Sequence, residues 1–128
     1  MRPLGELALR VNDLTAMKAF YRDVVGLEVF SDDFDEFVFF KIADLVDGHP
    51  QILGMFDRKT EVGQPASTLD HFAFVIDLAD YEKEKARLEA AGVAVVTRQF
   101  PHFHWRSLFF ADPEGNTLEF VAYDASVT

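Results

Sequence analysis

The stretch "LDHFAFVIDL", residues 69–78, decides how the chain is read. Phe72, Phe74 and Ile76 recur at the strand period of two, and His71 falls on the opposite phase with Ala73 and Val75. An imidazole at the head of an apolar strand needs a partner, because an unpaired polar group taken out of water is costly.

Working outward, the same phrase occurs earlier in the chain. "ELALRV" (6–11) corresponds to "HFAFVI" (71–76), so Glu6 stands where His71 stands, 65 residues before it. After the first strand, Asp13 suits a helix N-cap. Leu14, Met17, Phe20, Tyr21 and Val24 follow at helical spacing, and Gly26 suits the left-handed position that ends a helix. Strand signals follow near 28–32, 36–43 and 51–57, with "DGHP" (47–50) as a turn. The second half repeats this order. Asp80 caps a helix to about Ala91, Gly92 closes it, and strands are expected near 93–99, 106–111 and 117–123, with "DPEGN" (112–116) as a tight turn. The polar segment "RKTEVGQPAST" (58–68) reads as the linker. The expectation is an α+β fold: one domain over 1–128, with a βαβββ module at about 4–57 and another at about 69–124.

Composition bounds the function. The 128 residues are 49% hydrophobic, enough for one compact domain. No run approaches the roughly 20 apolar residues of a membrane span, and the N-terminus enters a strand pattern at once. A net charge of −10, from 22 acids and 12 bases, argues against a nucleic-acid partner. There is no cysteine, which excludes disulfides and thiolate metal sites and fits a cytoplasmic setting. The 14 phenylalanines are enough both to build a core and to line a cavity for an apolar ligand.

In "TLEFVAY" (117–123), Leu118, Phe120 and Ala122 point one way and Glu119, Val121 and Tyr123 the other. Glu6, His71 and Glu119 are thus polar residues opposite the apolar faces of three strands. Paired around a pseudo-twofold axis, they are expected to converge inside a cupped sheet. Two carboxylates and one imidazole suit a divalent Zn, Ni, Mn, Co or Fe ion, and three protein ligands leave positions open for substrate.

"ELALRVNDLTAMKAFYRDVVGLEV", "DHFAFVIDLADYEKEKARLEAAGV" and "RSLFFADPEGNTLEFV" resemble the two modules of the vicinal oxygen chelate superfamily, which includes glyoxalase I, extradiol dioxygenases, fosfomycin-resistance enzymes and bleomycin-binding proteins. The resemblance implies cupped mixed sheets, frequently a homodimer, and metal ligands on the first and last strands of each module: Glu6, His71 and Glu119. With a 66-residue offset, as between Gly26 and Gly92, the fourth position falls on Leu53, where glyoxalase-like members carry a carboxylate.

"FPHFHWR" (100–106) supplies further candidates. His102, His104 and Arg106 share one strand phase. Facing the cup, His104 would act as general acid or base and Arg106 would bind an anionic substrate oxygen. Arg10 shares the phase of Glu6, Tyr123 shares that of Glu119 and is placed to donate a proton, and Phe37, Phe39 and Trp105 are candidate pocket walls. His49 falls in a turn. The expected activity is metal-dependent lyase, isomerase or dioxygenase chemistry on a small organic substrate that chelates the ion through neighbouring oxygens, with Glu6 or Glu119 moving a proton. The alternative is a non-catalytic, drug-sequestering dimer.

Overall fold

A computed structural model describes residues 3–45, 50–58, 69 and 71–128. His49 and nearly all of the expected linker lie outside them. The chain divides into two compact units, 1–66 and 67–128.

Unit 1 begins with β1 (Glu6–Val11). Helix α1 (Leu14–Phe20) runs into a wider turn of π type at Tyr21–Val25, and β2 (Glu28–Phe34), β3 (Phe37–Asp44) and β4 (Pro50–Asp57) follow. Asp13 caps α1 as expected, its carboxylate accepting from the Ala16 N–H at 2.9 Å, an interaction worth about 1 kcal/mol. The helical stretch stops at Gly26, whose φ of 89° a side chain would strain. The sheet order is β1-β4-β3-β2, with β1 parallel to β4 and the rest antiparallel. Leu9, Val11, Val38, Phe40, Leu53 and Met55 are buried together with Met17, Tyr21 and Val25 of the helical segment. Each fully buried apolar side chain of this size stabilises the fold by roughly 1.5–3 kcal/mol.

Unit 2 repeats the plan with β5 (His71–Val75), α2 (Tyr81–Ala90), β6 (Val96–Phe100), β7 (Trp105–Ala111) and β8 (Thr117–Tyr123), in the order β5-β8-β7-β6. Its helix-covered face holds Leu108, Phe110, Leu118, Phe120 and Ala122, with Tyr81 and Leu88 from α2. The two mixed four-stranded sheets, each with its helix, are the α+β arrangement that the repeated phrase implies. β6 starts three residues later than expected, because Val93 is drawn back onto the end of α2 by an N–H bond to the Leu88 carbonyl.

Two expectations are corrected. Residues 101–103 form a 3-10 turn that ends at His104, which adopts a left-handed φ of 55°, so the strand phase of His102 and His104 does not exist. The second correction concerns the offset between modules. β8 sets Glu119 opposite Ala73, two residues after His71, and β4 sets Gly54 opposite Ala8, two residues after Glu6. Counted through the sheets, the position equivalent to Glu119 is Gly54, at an offset of 65. Leu53 points to the other face and is fully buried in the core. The extra residue in the 66-residue spacing of Gly26 and Gly92 lies between strand and helix end, so it does not carry through to the last strand.

Candidate metal centre

The face of sheet 2 away from α2 is set by register. His71 and Ala73 of β5 lie beside Thr117 and Glu119 of β8; Glu119, Val121 and Tyr123 lie beside Phe109, Ser107 and Trp105 of β7. His71 and Glu119, expected to meet, do so: Nε2 stands 3.3 Å from Oε2. The imidazole is half exposed and packs edge-on against the Phe109 ring at 5.6 Å, while the carboxylate is 4% exposed. Glu119 Oε1 is buried and has no hydrogen-bond partner among the described residues. A buried carboxylate oxygen left unsatisfied costs stability that a bound cation would return. The pair therefore fits a divalent ion, with Nε2 and the carboxylate as donors.

Glu6 starts β1 in unit 1, on the face away from α1 with Ala8 and Arg10. The register adds Ile52, Gly54 and Phe56 of β4 and Phe37, Phe39 and Lys41 of β3 to that face. Four aromatic rings cluster here. Phe34 stacks on Phe37 at 4.5 Å, and Phe37, Phe39 and Phe56 stand within 5.3–5.8 Å of one another. The Arg10 guanidinium lies 6.0 Å from the Phe56 ring centre, and its Nη1 is buried with no hydrogen-bond partner among the described residues. Among the described residues no group of three His, Asp or Glu side chains gathers to hold an ion by itself. The structure unites two of the three expected ligands, both in unit 2.

The other candidates separate. Arg106 is turned to the helix side of sheet 2, away from Glu119. It stands 2.9 Å from Asp124 and 5.5 Å from the Tyr81 ring centre, because it pairs with Ala122 rather than with the Glu119 phase. His104 is held by the C-terminal segment: its Nδ1–H donates to the Val127 carbonyl at 2.7 Å, and its ring meets Tyr123 edge-on. Trp105 and Tyr123 share the Glu119 face, Trp105 stacked on Phe103 at 4.9 Å and Tyr123 largely exposed. Phe39 stands over Gly54. The hydrogen bonds that Asp124 accepts from the Ser126 hydroxyl and N–H, and after them the facing Arg106 guanidinium, hold its carboxyl below the usual range. Burial pushes the Tyr81 phenol up.

Two residues escaped the sequence reading. Ser107 is fully buried on the Glu119 face, its hydroxyl without a partner among the described residues, and Gly54 lies beneath the Glu6 carboxylate. A glycine inside a strand, as in "ILGMF", signals close approach of another group. A serine in an apolar strand carries no comparable mark.

The paired βαβββ units with a His–Glu pair between the first and last strands define a class. The family model described as Glyoxalase/Bleomycin resistance protein/Dioxygenase superfamily matches residues 4–120, and the chain belongs to that superfamily. The crystal structure of a lactoylglutathione lyase from Agrobacterium tumefaciens is similar at 32% identity and a TM-score of 0.75, covering 94% of this chain and 92% of that one. The protein YaeR of Escherichia coli (strain K12), described as uncharacterized, is 29% identical over 124 residues, 93% of this chain and 95% of its own length. A mutant of the fosfomycin resistance protein FosX from Listeria monocytogenes, complexed with Mn(II) and 1S,2S-dihydroxypropylphosphonic acid, shares the fold at a TM-score of 0.70 and 23% identity, over 94% of this chain and 89% of its own. Among the described residues, no helix is long and apolar enough to cross a membrane.

Proposed function

We propose that the protein is a metal-dependent vicinal oxygen chelate enzyme acting on a small organic substrate. The observation that carries this reading is the buried, half-satisfied Glu119 carboxylate beside His71. His71 Nε2, Glu119 and Glu6 would hold one divalent ion, Zn, Ni, Mn, Co or Fe. When bound, the ion would act as a Lewis acid on two neighbouring substrate oxygens. Glu6 belongs to the other unit, and we assign it to this ion within a homodimer. Mixing Glu6→Ala and His71→Ala chains tests that assignment: mixed dimers regain one intact site when the ligands come from two chains, and none when they come from one.

The remaining residues supply binding and proton transfer. The Phe39 and Phe56 rings and the Glu6 carboxylate lie against the same position, Gly54. The Glu6 carboxylate would take a proton from a substrate carbon beside the polarised oxygen and return it at the next carbon or oxygen. Arg10 Nη1 and the Ser107 hydroxyl, both without partners among the described residues, suit anionic substrate oxygens. Two carboxylates against one imidazole make a hard donor set, which favours proton-transfer chemistry of the isomerase or lyase type over oxygen activation. The 32% identity to a lactoylglutathione lyase supports that choice. The lack of cysteine suits a cytoplasmic setting.

Assays on metal-loaded protein with a glutathione hemithioacetal, catechol, and fosfomycin with thiol or water would sort the classes. Turnover of the hemithioacetal, lost in Glu119→Ala, is the expected outcome; no turnover of any substrate by metal-loaded protein counts against the enzyme. A second reading rests on the four-phenylalanine cluster beside a carboxylate, a surface suited to an aromatic or cationic drug. It predicts tight binding of such a compound by metal-free protein.

A further inference from the structure

The two units present the same strand pair with different residues at the equivalent positions. In unit 2 the first strand carries the imidazole and the last strand the carboxylate, with His71 and Glu119 in contact. In unit 1 the first strand carries the carboxylate, Glu6, and the equivalent position on the last strand carries no side chain at all, Gly54. A Cβ on Gly54 would stand 2.7 Å from Glu6 Oε1, closer than nonbonded atoms approach, and 3.2 Å from ring carbons of both Phe39 and Phe56. Gly54 is buried, with its φ outside the left-handed region, so no backbone conformation demands glycine there. The close approach comes from the Glu6 carboxylate and the Phe39 and Phe56 rings, which fill the space a side chain at 54 would take.

We propose that Gly54 is the positioning residue for Glu6: its bare Cα is the seat that holds the β1 carboxylate across β4, so that unit 1 presents one carboxylate from its first strand in place of one from its last. This rests on the assignment of Glu6 to a metal site. It also explains why glycine, usually unfavourable in a strand interior, stands at the one β4 position equivalent to a ligand.

Calorimetric titration of metal-stripped protein with MnCl₂ tests it, with the melting temperature of each metal-free variant as the control for folding. Gly54→Ala is expected to bind Mn²⁺ at least tenfold more weakly, since the obstructing atom is the end of a flexible side chain and the fold can yield by moving the carboxylate. In a Glu6→Ala background the same change should have no further effect on affinity. Glu6→Asp, which draws the carboxylate back from residue 54 without touching the glycine, should lose affinity to a similar degree and serves if Gly54→Ala does not fold. Wild-type affinity in Gly54→Ala or in Glu6→Asp overturns the proposal. If the wild type binds no Mn²⁺, the metal reading fails and crystals of the metal-free wild type and Gly54→Ala decide the positioning claim. A carboxylate seated over residue 54 and displaced by the alanine supports it; a carboxylate elsewhere in the wild type overturns it.

Discussion

Glu119 Oε2 lies 3.3 Å from His71 Nε2 while Oε1 of the same carboxylate is buried without a hydrogen-bond partner among the described residues. Such a group is held at a cost of about 1–3 kcal/mol when nothing satisfies it. Glu119→Gln should therefore leave metal-free protein as stable as the wild type or raise its melting temperature by a few degrees, and should remove the stabilisation that Mn²⁺ gives the wild type. Thermal melts with and without metal check this. A Glu119→Gln protein that melts well below the metal-free wild type would mark the pair as purely structural.

Leu53 is a core residue, whatever its distance in sequence from Glu119 suggests. Leu53→Ala should cost about 2–5 kcal/mol, the usual range for truncating a fully buried leucine. The Mn²⁺ affinity of the folded protein should stay at the wild-type value. Denaturant unfolding and metal titration on one preparation measure both. A change in affinity without loss of stability would place residue 53 in the site and contradict the sheet register.

Arg106 faces Tyr81 and Asp124, so its loss should be felt in stability. Arg106→Ala is expected to cost roughly 1–2 kcal/mol through the lost ring contact and ion pair, with KM unchanged. A selective rise in KM would return Arg106 to the substrate.

Asp124 ties the C-terminal residues down through the Ser126 hydroxyl and N–H and the Arg106 guanidinium, interactions that lower its pKa in the folded state. A depressed carboxyl contributes stability above its ordinary pKa of about 3.9 and loses that contribution as pH falls through the lower folded value. The gap in melting temperature between wild type and Asp124→Asn should be constant above about pH 5 and should close as acid is added below about pH 4. A gap that persists undiminished at pH 3 would contradict this.

The repeat, the Asp13 cap, the helix-ending glycines and the His71–Glu119 pair are legible because each rests on a local rule: a period of two, an Asp before a helical pattern, a Gly after it; Asp80 precedes α2 without a side-chain capping bond. Face assignment along a clean strand also transferred well, as Tyr123 shows. Reading failed where the chain leaves regular structure. His104 and Arg106 looked like one strand face, yet the 3-10 turn at Pro101–Phe103 ends in a left-handed His104 and resets the phase before Arg106. Leu53 lies at the offset set by the helix-ending glycines, but one residue of difference between modules reverses the face of a strand. Ser107 and the seat at Gly54 depend on what packs against them from neighbouring strands, which no pattern along one strand records.

In the proposed site, His71 and Glu119 hold a divalent ion with Glu6. The most direct test is elemental metal analysis of untagged protein after incubation with Mn, Fe, Co, Ni or Zn and exhaustive gel filtration. One tightly retained ion per chain is expected in the wild type, with its loss in folded His71→Ala and Glu119→Ala. Folded wild-type protein that retains none of the five metals would contradict it.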